Sequence, residues 1–208
     1  IVQSLVGSEM CIRDRFFLIL KWGGKDRRYA AQKFFIYTFT ASVIMLLGLI
    51  TLYFLQDPYT LNYSGSMTGR SFSIPELIDS AKAGNLGDNW YLGAQMQKIL
   101  FVMLMIGFLV KLPAVPFHTW LPDAHVQAPT GGSMLLAGVM LKMGAYGMFR
   151  LPISLFPHAL YHFQLALMII GMVSLVWGAI VCLGQTNLKK MVAYSSVSHM
   201  GVILIGIA

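Results

Sequence analysis

From residue 34 onward, long apolar stretches alternate with more polar connections. A helix needs about 20 residues to cross ~30 Å of hydrocarbon. The stretches of that size predict spans at approximately 34–55, 92–121, 131–150, 159–183 and 188–208. The expected fold class is therefore an all-α membrane protein, a polytopic helix bundle. Before the first span only Phe16 to Leu20 are continuously apolar, about 8 Å of helix at 1.5 Å per residue. The last span runs apolar to Ala208 with no polar flank, so both ends read as cut and the chain as a fragment.

The run from Lys111 to Lys142, KLPAVPFHTWLPDAHVQAPTGGSMLLAGVMLK, interrupts this pattern. Pro113 and Pro116 lack the backbone donors that the carbonyls of Leu109 and Leu112 would need in a continuous helix. A discontinuous transmembrane helix is therefore expected near 111–116. Broken backbone at membrane depth is tolerated where protein or a water-lined cavity satisfies the freed groups; a simple kink is the other reading. Lys111 stands beside the break and Lys142 near the middle of the next span. An ammonium at the bilayer centre costs on the order of 2.5–3.5 kcal/mol, which marks such residues as functional unless they snorkel to the interface or pack against polar neighbours. A lysine held away from water exchanges its proton nearer neutrality than a free one, whose pKa is about 10.4.

Composition places the chain in a lipid bilayer: 57% of residues are hydrophobic and 11% charged, far from the soluble balance. The net charge of +7 does not point to nucleic acid, because Lys21, Lys25, Arg27, Arg28 and Lys33 crowd one connection between apolar runs. With Lys189 and Lys190 they obey the positive-inside rule, since four crossings separate the two basic segments. The connection at 56–91 is poorer in basic residues and faces the other side. Within it, Ser73 as N-cap with Pro75 and Glu76 in the first turn predicts a short amphipathic helix; a loose polar connection is the alternative. Residues 1–15, IVQSLVGSEMCIRDR, resemble translated sequencing-adapter read-through and form an artefactual, non-family tail, leaving 16–208 as the membrane domain. Cys11 and Cys182 suggest neither a disulfide nor a metal site.

Four histidines need weighing. His118 lies seven residues beyond Lys111, two turns along one face if the helix were unbroken. His199 follows Tyr194, Ser195, Ser196 and Ser198, hydroxyl-bearing neighbours that suit a proton wire or a hydrogen-bonded packing residue equally. His158 and His162 have an i, i+4 spacing, but no Glu lies between them as in a zinc protease motif, so an interfacial pair is favoured over a metal site.

The segment VKLPAVPFHTWLPDAHVQAPTGGSMLLAGVMLKMGAYGMFR strongly resembles the antiporter-like membrane subunits of respiratory complex I. KWGGKDRRYAAQKFFIYT at 21–38 and QTNLKKMVAYSSVSHMG at 185–201 support the match, which covers 16–208. The resemblance implies a bundle of fourteen membrane helices with two inverted repeats of five, of which this fragment runs from late in the fifth helix into the tenth. It implies that Lys111 is the lysine of the broken helix, that Lys142 passes protons along a central hydrated axis, and that His118 and His199 lie on that axis. The family's pairing glutamate should stand about twelve residues before Trp22, where the sequence reads SEMCIRDR, so its role is not carried over to Glu9.

The expected function is proton translocation as a membrane subunit of NADH:quinone oxidoreductase, with no redox centre and no cofactor in this subunit. No glycine-rich phosphate loop follows a predicted strand, and no cysteine cluster suits iron and sulfur. The implied partners are the other membrane subunits of complex I, above all neighbouring antiporter-like ones, and the lipid of a bacterial inner membrane. The fragment alone is not expected to pump. Two alternatives remain open: a subunit of a multisubunit cation/proton antiporter or membrane-bound hydrogenase, and a non-conducting structural membrane element.

Overall fold

The computed structural model describes residues 13–55, 72–75, 77–78 and 90–208, with side chains in the last stretch from residue 95. Residues 1–12, which hold most of the expected tail, and most of the 56–91 connection lie outside the described residues. All regular structure among the described residues is helical. It comprises α1 (residues 13–22), α2 (Arg27–Leu55), α3 (Trp90–Lys111), a 3-10 turn (Phe117–Thr119), α4 (Trp120–Gln127), α5 (Thr130–Ile153), α6 (Pro157–Leu183) and α7 (Leu188–Ile207). Of these, α2, α5, α6 and α7 are each long and apolar enough to cross a membrane.

Helix ends follow local chemistry rather than hydropathy. α2 starts at Arg27, seven residues before the expected apolar span, because nothing between Arg27 and Phe34 opposes helix and hydropathy senses only the lipid-facing part. α6 opens with Pro157, whose missing donor costs nothing in a first turn. α7 opens on Asn187, whose side chain accepts the Lys189 N–H at 3.1 Å. Near Ser73, Ile74, Pro75, Leu77 and Ile78 are helical; the Leu77 N–H reaches the Ser73 carbonyl at 2.9 Å, and Leu77 is buried.

α5 departs from regular α geometry twice. π-turns span Leu136–Met140, ending two residues before Lys142, and Phe149–Ile153, around Pro152. Pro152 lacks an amide donor, and beyond it the Ser154 hydroxyl donates to the Phe149 carbonyl at 3.0 Å. The pattern of apolar residues carried no sign of either turn.

Small residues set the distances between helices, as expected where lipid removes the hydrophobic drive for helix association. α2 and α3 run antiparallel with Gly107 against Met45 and Ala41; a Cβ at Gly107 would lie 2.7 Å from the Met45 Cβ. α6 and α7 meet at Gly171 and Gly201, where a Cβ on Gly201 would lie 2.8 Å from the Gly171 carbonyl oxygen. The core between α2, α3 and α4 is filled by Phe34, Leu104, Leu112, Trp120 and Leu121, all fully buried. The Gly24 N–H donates to the Gln127 carbonyl at 3.1 Å, which brings the basic 21–28 connection to the C-terminal end of α4. Lys189 lies close enough to His125 of α4 for its charge to act there, so both basic segments sit at one end of the bundle.

Candidate functional site

The break expected near 111–116 is present: α3 ends at Lys111, and helix resumes with the 3-10 turn at Phe117. Its freed backbone groups find specific partners. The Leu109 carbonyl, which Pro113 cannot serve, accepts the Ala114 N–H at 3.1 Å. The Val110 carbonyl accepts the buried indole N–H of Trp120 at 3.0 Å. The Val115 N–H donates to Ser174 Oγ at 2.9 Å, and that hydroxyl donates to the Ile170 carbonyl at 2.7 Å. Ser174 is buried on α6. Backbone at membrane depth is thus satisfied by protein groups on its own helix pair and on a third helix.

Lys111 is half-buried at the last residue of α3, its backbone packed against α5, where a Cβ at Gly144 would lie 3.4 Å from the Lys111 Cβ. The next turn of that seam is Phe108 on Gly147, which leaves no room for a side chain at 147. A cavity of about 240 Å³ opens between α2, α3 and α5, and Lys111, Arg150, Tyr146, Thr38 and Trp120 reach its wall. Its polar lining is therefore cationic and hydroxyl-bearing.

His118, in the 3-10 turn, is buried, and its Nδ1 has no hydrogen-bond partner. Its ring meets the edge of Tyr194 on α7 with centroids 6.2 Å apart. A buried imidazole nitrogen without a partner is costly and is a position where a proton or an ordered water can be held. His125, on α4, is buried in the same way, with Nε2 unpartnered. It belongs to the same run of sequence as His118 but was not singled out there.

Lys142 and His199 are placed differently. Both side chains are exposed on the described helices. Lys142 stands two residues from Gly144, about 200° around a helix turning ~100° per residue, so it projects away from the seam that holds Lys111. His199 lies off the buried α7 face of Ala193, Val197, Met200, Gly201 and Leu204. The structure brings Lys111 and His118 to the break and sets Lys142 and His199 on outward faces. His158 and His162 are also exposed, and among the described residues no group of three or more metal-ligating side chains converges.

Sequence reasoning treated Lys33 as one of the loop charges and did not single out Asp123 of α4. Instead the two pair with each other: Lys33 Nζ donates to Asp123 Oδ2 at 2.7 Å, with both side chains partly shielded from solvent. The available signal was the 29, 33, 37 spacing, which puts Tyr29, Lys33 and Tyr37 on one face of α2 once the helix is known to start at Arg27. Tyr37 Oη meets Thr119 Oγ1 at 3.3 Å, and Phe34 packs on Trp120 with centroids 5.4 Å apart. That face therefore holds the helical half that follows the break. Ser174 was also not singled out as a site residue, because a lone hydroxyl in an apolar helix carries no spacing signature, and Tyr194 was weighed only beside His199, whereas its ring packs on His118.

Comparison with known proteins agrees with this architecture. A model of the family described as NADH:quinone oxidoreductase/Mrp antiporter, TM, matches residues 2–208. NADH-quinone oxidoreductase subunit M of Rickettsia conorii is 43% identical over 199 residues, covering 96% of this chain and 36% of the relative. F(420)H(2) dehydrogenase subunit M of Methanosarcina mazei is 42% identical over 203 residues, covering 96% and 38%. The chain thus spans little more than a third of the length of these relatives. Among solved structures, respiratory complex I from Thermus thermophilus with bound NADH contains a chain that superposes with a TM-score of 0.79 at 26% identity, covering 100% of this chain and 40% of that one. A chain of the Mrp complex from a Dietzia species shares the fold, with a TM-score of 0.71 at 17% identity over 93% of this chain and 32% of its own. A break sealed by protein donors, a lysine at its edge and these matches lead to one assignment: the chain belongs to the membrane-spanning NADH:quinone oxidoreductase/Mrp antiporter family.

Proposed function

We propose that this chain is the central part of a proton-translocating membrane subunit of NADH:quinone oxidoreductase, carrying no redox centre and working against other membrane subunits in a bacterial inner membrane. The observation that carries the reading is the broken helix itself. A continuous helix has every backbone group closed on itself, whereas here Lys111 and His118 flank an opened stretch beside a cavity. Each can take up a proton at nitrogen and release it without a covalent intermediate. Lys142 and His199, near the middle of α5 and α7, then serve as the next acceptors on the outward faces. The driving force comes from electron transfer in partner subunits.

The relative in an F(420)H(2) dehydrogenase favours a refinement. Its identity to this chain, 42%, nearly equals that of the NADH-quinone oxidoreductase relative at 43%. On this reading the residues described here belong to an ion path that serves different electron donors, the donor being chosen by other subunits. The test is Lys142→Ala in the complete subunit within its assembled complex, read as proton uptake per electron in proteoliposomes. Pumping should be abolished or sharply reduced while electron transfer to quinone can still be measured. Full retention of proton translocation would remove Lys142 from the path.

A further inference from the structure

The half-helix that carries the chain onward from the break is tied to α2 by three contacts of different kinds. Phe34 on Trp120 is apolar, Tyr37 to Thr119 is a long neutral hydrogen bond at 3.3 Å, and Lys33 to Asp123 is a charged one at 2.7 Å. The first two also locate α4 against α2, and Trp120 is further fixed by its bond to the Val110 carbonyl. An ion pair adds little to stability where it is partly solvated and is costly where it is dry, so packing economy does not explain it. What sets it apart is its sensitivity to charge. Lys33 lies close enough to His118 for its charge to act on that imidazole, and Asp123 is on the same short segment, five residues further on. His118 is buried with Nδ1 unpartnered, so no hydrogen bond at that atom fixes its ring; beyond the edge contact with Tyr194, its placement comes from the segment on which it rides.

We propose that Lys33 and Asp123 form a positioning clamp that holds His118 in register with the break, so that proton transfer stays coupled to electron transfer. The inference rests on the proton-relay reading. A proton arriving on His118 sets a second positive charge within range of Lys33, whose repulsion loosens the clamp. Its departure lets the pair close again. By reciprocity, weakening the pair alters how readily His118 takes its proton.

The experiment uses the complete subunit in the assembled complex, with K33M, D123N and the exchanged pair K33D/D123K. Three readouts are taken: assembly on native gels, NADH:quinone electron transfer, and protons pumped per electron. K33M and D123N should each assemble, keep at least half of the electron-transfer rate and lose several-fold in protons per electron. The exchanged pair should recover at least half of that ratio, a rescue that simple packing at either position would not give. Unchanged ratios in both single variants would overturn the clamp, as would an exchanged pair no better than the singles. Loss of assembly in all three would assign the pair to folding alone and overturn it too. K142A and H118Q measured in parallel separate the two levels: full pumping in both refutes the relay reading, whereas their loss of pumping beside normal K33M refutes only the clamp.

Discussion

Ser174 on α6 accepts the Val115 amide at 2.9 Å, stitching the break in one transmembrane helix to the middle of another 59 residues away. Pro113 and Pro116 interrupt the backbone ladder on either side of the donor, and the nearby Leu109 carbonyl is taken by Ala114. Hydrogen bonds between membrane helices average only about 0.6 kcal/mol when the partners can find substitutes. Here a part-buried amide would be stranded, which costs up to roughly 1–3 kcal/mol. Ser174→Ala should therefore lower the thermal stability of the assembled complex measurably, and Ser174→Thr, which keeps the acceptor, should restore most of it. Equal melting behaviour for Ala and Thr would show that the bond is dispensable.

Trp120 plays the matching part for the Val110 carbonyl. Replacing it with Phe keeps the apolar contact with Phe34 while removing the donor. The expected loss is about 1 kcal/mol, less than for Ser174→Ala, because a carbonyl has two lone pairs and tolerates under-satisfaction better than an amide. Comparing the two variants by thermal unfolding of the purified complex checks the ranking.

The contact between α6 and α7 sets a steric limit. At Gly201 a Cβ would lie 2.7 Å from the Leu175 amide nitrogen and 2.8 Å from the Gly171 oxygen, all backbone atoms that cannot step aside. Gly201→Leu should force the two helices apart and deplete assembled complex in the membrane, as read by native gel. Gly206→Leu, on the same helix where no atom lies within 4 Å, should have no such effect.

Much of this fold was written in hydropathy, because each span needs nearly the same length of apolar helix and proline leaves no doubt about where a ladder must open. The break near 111–116 was legible for that reason. The partners that close it were not: Ser174 is one hydroxyl in a 27-residue apolar helix, and nothing in its neighbours announces an acceptor. The π-turn before Lys142 was equally silent, since it changes the residues per turn without changing which residues are apolar. Lys33 was misread as a loop charge because hydropathy marks where lipid begins, whereas the helix itself begins seven residues earlier at Arg27. His118 was identified through the family motif, yet its burial and unpartnered nitrogen are properties of the packed chain.

The outward placement of Lys142 and His199 on the described helices would make the two halves of the proposed path genetically separable. A substitution at Lys111 or His118 disturbs packing as well as chemistry, so a loss of pumping there has two explanations. At Lys142 and His199 the described helices make no demand on the side chain beyond its solubility in its surroundings. Lys142→Met and His199→Gln should leave the stability of these helices within about 0.5 kcal/mol of the parent, as measured by thermal unfolding, while pumping falls. The exposed pair thus offers a dissection in which a silent conductor and a misfolded one cannot be confused.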